Sequence, residues 1–97
     1  MDRDQIIGAL HRHESDLKQL GAARLFLFGS ASRNELGPAS DVDLFFDFDN
    51  PLFSLIELVS LQDRIADLLH MPADVMSRES IHPRLRSSIE ASAIRVF

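Results

Sequence analysis

Ninety-seven residues, 45% hydrophobic and 26% charged, make a chain sized for one globular domain over residues 1–97, and no apolar run approaches the ~18 residues of a membrane-spanning helix. A formal net charge of -5, a single lysine (Lys18) and the absence of Trp and Tyr disfavour direct nucleic-acid binding through phosphate neutralisation or base stacking. The lack of cysteine excludes disulfides, thiolate catalysis and Cys-based metal centres; with Asp2, Asp4, Glu14 and Asp16 unsuited to a signal peptide, a cytoplasmic protein without membrane contact is expected.

In chain order, Ile6, Ile7, Leu10, Leu17 and Leu20 recur at helical spacing, which predicts one amphipathic helix from about Asp4 to a cap at Gly21. Arg24–Phe28 (RLFLF) is apolar at nearly every position and suits a buried strand that ends at Gly29-Ser30. The small, polar stretch from Ser30 to Ser40 predicts a short helical turn and then a loop. Asp41–Phe48 alternates: Val42, Leu44, Phe46 and Phe48 face one way, and Asp41, Asp43, Phe45 and Asp47 the other. Asn50-Pro51 predicts the start of a second long helix whose face includes Leu55, Ile56, Leu58, Val59, Ile65, Leu68 and Leu69. Pro72 ends it; Ala73–Ser77 reads as a third strand with Asp74 and Met76 on one face. A helix with Leu85 and Ile89 as its apolar stripe follows from His82-Pro83, and Ala93–Phe97 closes the chain as a short strand or docking tail. The sum is an α/β (α+β) fold, a small mixed sheet of three to four strands with helices mainly on one side.

The pattern that carries chemistry is Gly29-Ser30, then ten residues, then Asp41-Val42-Asp43, with Asp74 on a later strand. Alternate strand positions put the carboxylates of Asp41 and Asp43 on one face, where hard oxygen ligands suit one or two magnesium ions. A strand that turns at Gly-Ser offers backbone N–H groups and a hydroxyl to a polyphosphate, and glycine permits close approach. If the strand with Asp74 lies beside them, a third carboxylate reaches the same metals or takes a proton from an attacking hydroxyl. The chemistry that results is two-metal nucleotidyl transfer.

On LFGSASRNELGPASDVDLFF the chain resembles the DNA polymerase beta-like nucleotidyltransferase superfamily, and within it the minimal nucleotidyltransferase (MNT) domains, often paired as antitoxins with HEPN-domain toxins. The resemblance spans nearly the whole chain. It implies that Gly29 and Ser30 contact the triphosphate, that Arg33 and Ser40 assist in nucleotide binding, and that Asp41, Asp43 and Asp74 are catalytic and hold Mg2+ in a two-ion site. It further implies ATP as substrate and transfer of AMP to a tyrosine hydroxyl of a HEPN partner in a hetero-oligomer. The other reading is a non-catalytic antitoxin that neutralises its partner by binding alone. One departure is visible: Asn34 stands where the family usually has glycine, and Asn tolerates a left-handed backbone.

Other features read as structural. Asp47 and Asp49 fit capping or solvent exposure, and His11, His13, His70 and His82 lack metal-ligand spacing. Arg84, Arg86 and Arg95 read as a solvated face, and Phe26, Phe28, Phe45, Phe46 and Phe48 as core.

Overall fold

The computed structural model describes residues 1–37 and 41–97, and its frame is a four-stranded mixed sheet in the order β3-β2-β1-β4. β1 is Arg24–Phe28, β2 Val42–Asp47, β3 Ala73–Ser77 and β4 Ile94–Arg95. The helices are α1 (Arg3–Arg12), α2 (Glu14–Gln19), α3 (Gly29–Ser32), α4 (Leu55–Leu69) and α5 (Pro83–Ser92). β1 is antiparallel to β2 and β4, whereas β2 and β3 are parallel. A parallel pair needs a crossover, and α4 supplies it.

The alternation along β1 and β2 separates two unequal faces. Leu25, Leu27, Val42, Leu44 and Phe46 form the larger core with Val75 of β3, covered by Ile6 and Leu10 of α1, Leu17 of α2, and Leu61, Ile65 and Leu69 of α4. On the other face Phe28, Phe45 and Ile81 form a smaller cluster with Phe26, Met76, Ile89 and Ala93. Helices therefore pack mainly on one side, as expected, with α5 on the second face. Its predicted stripe is only half realised, because Ile89 packs while Leu85 stays exposed. Among the described residues no helix is long and apolar enough to cross a membrane.

Two boundaries depart from the pattern in the sequence. The first predicted helix is two, broken at His13 (φ -109°, ψ 23°), whose Nδ1–H donates to the Ala9 carbonyl at 2.9 Å. The apolar positions on both sides remain buried, so the break costs no core. Gly21 does end the pair at φ +113°, and a Cβ there would strike the Phe53 ring. The second long helix starts at Leu55 rather than at Asn50-Pro51. Asn50 instead closes a turn: its side-chain oxygen accepts from Leu52 N–H (2.9 Å) and its carbonyl from Phe53 N–H (3.0 Å). Ser54 then begins the helix, with the Glu57 carboxylate accepting from its N–H (2.9 Å) and its hydroxyl. The predicted apolar face of α4 is also split, since Leu55, Ile56 and Val59 point away from the core that holds Leu61, Ile65 and Leu69.

Candidate active site

The register across the second face sets three rows of side chains. Asp43 of β2 pairs with Asp74 of β3 on one side and Phe28 of β1 on the other, and Asp41 precedes Asp43 by two residues. Next along the strands come Met76, Phe45 and Phe26, and then Asp47 opposite Arg24. The smaller cluster covers the middle row, which leaves the acidic row at the open end of the sheet. Asp41 and Asp74 are exposed there, and Asp43 is half-buried between them.

Gly29 follows Phe28 directly and enters α3 at φ +70°. A Cβ at this position would collide with Oδ2 of Asp43, so only glycine lets the turn sit against the carboxylate. The Ser32 hydroxyl, buried, donates to the Gly29 carbonyl at 2.7 Å and fixes the turn from behind. The pattern in the sequence did not single out Ser32; a small polar residue two positions after Ser30 is the signal that marks it. Asn34 is left-handed at φ 58°, as expected of a residue that tolerates this backbone, and its side-chain oxygen accepts from Arg3 N–H at 3.1 Å. Asn34 thus ties α1 to the turn.

Gly29, Ser30, Asp41, Asp43 and Asp74 are brought to one end of the sheet by these pairings. Arg33 is exposed at the C-terminal end of α3, where its Nε–H donates to Glu35 at 3.1 Å. Ser40 lies outside the described residues. Asp43 is the group under electrostatic load: partial burial, then the negative charges of Asp74 and Asp41, push its carboxyl above the ordinary range. Among the described residues no group of three or more His, Cys, Asp or Glu side chains is placed to hold a metal ion. The donor set still fits a hard divalent cation by its chemistry, because magnesium is commonly held by one or two carboxylates and completed by substrate phosphates.

Asp47 corrects the expectation that it caps or meets solvent. It accepts from Arg78 at 2.7 and 3.0 Å and from Arg24 Nε–H at 3.0 Å, while Arg78 also donates to Glu90 at 2.6 Å. The Arg78 guanidinium lies 4.8 and 5.0 Å from the ring centres of Phe26 and Phe45. A cleft of about 270 Å³ lined by Arg24, Asp47, Ser77, Arg78 and Glu79 sits here, at the end of β2 away from Asp43. It holds a balanced set of charges and stands apart from the acidic row.

A strand–turn–helix at Gly-Ser, facing carboxylates on the two parallel strands beside it, defines the nucleotidyltransferase class. The chain belongs to the nucleotidyltransferase domain family, whose model matches residues 10–96, and it is a minimal nucleotidyltransferase domain of that family. It is 35% identical over 89 residues to a Methanocaldococcus jannaschii protein named "Putative protein adenylyltransferase MJ0126", covering 90% of both chains. It superposes on a solved structure named "Structure of putative minimal nucleotidyltransferase" with a TM-score of 0.85 and 30% identity, covering 97% of this chain and 95% of the other. A complex of a tri-AMPylated Shewanella oneidensis HEPN toxin with an MNT antitoxin shares the fold, with a TM-score of 0.64 and 17% identity over 90% of this chain and 68% of that one.

Proposed function

We propose that this chain transfers AMP from ATP to a tyrosine hydroxyl of a HEPN-type toxin and thereby acts as its antitoxin, with Mg2+ in the acidic row. The observation that carries this reading is Asp43, pressed against Gly29 and flanked by Asp41 and Asp74. Three like charges at one sheet edge are unfavourable unless a cation and a phosphate chain complete them. The protein adenylyltransferase name of the Methanocaldococcus relative and the AMPylated toxin in the Shewanella complex support the acceptor class.

Asp41, Asp43 and Asp74 would hold Mg2+, which when bound polarises the α-phosphate and neutralises charge on the departing pyrophosphate. The remaining work falls to the chain. Gly29 and Ser30 present backbone N–H groups and a hydroxyl to the β- and γ-phosphates, and Arg33 exchanges Glu35 for a phosphate oxygen. Asp74, at the exposed edge, orients the acceptor hydroxyl and takes its proton. The hydroxyl oxygen bonds to the α-phosphorus as the bond from that phosphorus to the bridging oxygen breaks, releasing pyrophosphate.

The test is intact-mass analysis of a HEPN-domain protein from the same organism after incubation with ATP, Mg2+ and this chain. A gain of AMP mass that disappears with Asp43→Ala is expected. Absence of that gain, or its persistence in the variant, overturns the assignment.

A further inference from the structure

Helix α4 buries one side and leaves the other apolar at its first two turns. Leu55 is 73% exposed, Ile56 78% and Val59 51%, and Leu52 in the preceding turn is 80% exposed. Four large apolar side chains together on one surface are the kind of patch that marks a protein contact. Helical spacing puts Asp63 and Asp67 on the same outward side as Ile56 and Val59, one and two turns further along. Both are exposed, and neither forms an ion pair among the described residues, whereas the neighbouring Arg64 is committed to Asp16 at 2.7 Å. The patch is therefore apolar with an acidic margin.

Charge selects the occupant. A second copy of this chain carries the same net charge of -5 and presents the same acidic margin, so an isologous contact supplies no cation to Asp63 and Asp67. An anionic lipid surface supplies none either. We infer that this face of α4 docks a protein partner that presents apolar side chains rimmed by Lys or Arg. That partner is the acceptor of the proposed transfer, so the inference rests on that reading. Because α4 runs back to β3, whose start carries Asp74, the patch lies about 20 Å of helix away from the acidic row. The partner is thus held at one end of the molecule and modified at the other.

The test measures affinity by sedimentation for a HEPN-domain protein of the same organism, with wild type, the Ile56→Asp/Val59→Asp variant and the Asp63→Lys/Asp67→Lys variant. All four positions are exposed, and unchanged melting temperatures confirm intact folds. The wild type is expected to run as a monomer alone and as a complex with the HEPN protein, and each variant to weaken the complex by about tenfold or more. Undiminished affinity in the Ile56/Val59 variant, absence of any wild-type complex, or a wild-type homodimer dispersed by that variant overturns the inference. AMP transfer is read in parallel by mass. A complex that depends on Ile56 and Val59 but gains no AMP supports the docking face and overturns the transfer, whereas transfer at unchanged KM in that variant does the reverse.

Discussion

Gly29 and Asp43 constrain each other, and the constraint works in both directions. A methyl group at Gly29 meets the Asp43 carboxylate and adopts a left-handed backbone that side chains disfavour. Gly29→Ala is therefore expected to lower AMP transfer by about a hundredfold or more, the effect of misplacing a reacting group by about an ångström. An assay of initial rates with the folded variant checks it. Asp43→Asn separates activity from stability. In the fold the Asp43 carboxyl titrates above its ordinary value, so it favours folding at pH below about 4, and that benefit is lost as pH rises through the raised value. Asparagine removes the charge. Transfer should be abolished, while the melting temperature at pH 7 without metal should rise by about 2–5 °C, a gap that closes as the pH is lowered toward 4. Added Mg2+ should raise the melting temperature of the wild type and leave that of the variant unchanged, since only the wild type gains free energy from binding.

Among the elements, α4 shows how local chemistry overrides a plausible signal. Asn50-Pro51 has the residue types of a helix start, but Asn50 spends its side chain on a turn, and Ser54 with Glu57 three residues later begins the helix. Ser54→Ala should lower the melting temperature by about 4 °C, measured at neutral pH, with little effect on transfer because the helix start is remote from the acidic row. Strands and their faces were legible throughout: period-two alternation in DVDLFF assigns Asp41 and Asp43 to one side, and glycine after RLFLF marks where that strand must turn. The side-by-side placement of Asp74 and Asp43 was legible only as a condition, because parallel register depends on how α4 packs. What escaped were features that hydrophobic periodicity does not report. His13 breaks the first helix through a carbonyl four residues back, Asp47 finds Arg78 thirty-one residues on, and nothing in the pattern of α4 says that Ile56 and Val59 lack a partner.

At the scale of the molecule, one sheet face carries opposite electrostatics at its two ends. The acidic row gathers like charges, whereas Asp47, Arg24, Arg78 and Glu90 form an alternating set anchored on the Phe26 and Phe45 rings. Burial pushes the Asp47 carboxyl up, but the hydrogen bonds and charges of Arg78 and Arg24 outweigh it and hold the carboxyl below its ordinary range. A lowered value means that ionised Asp47 favours the fold at pH above about 4 and loses that contribution as pH falls through the lowered value. Asp47→Asn should thus reduce the melting temperature at pH 7 by about 4 °C, with the difference vanishing near pH 2, and should leave AMP transfer unchanged. This is opposite in sign to Asp43→Asn, with pH acting on each at its own end of β2. Four residues of strand separate the two sites, about 13 Å, so their effects should add. The doubly substituted chain is then expected to melt close to the wild type at neutral pH while remaining inactive. A thermal melt of the four proteins across pH decides whether stability at the Arg-rich end offsets the strain that the acidic end imposes on the apo fold.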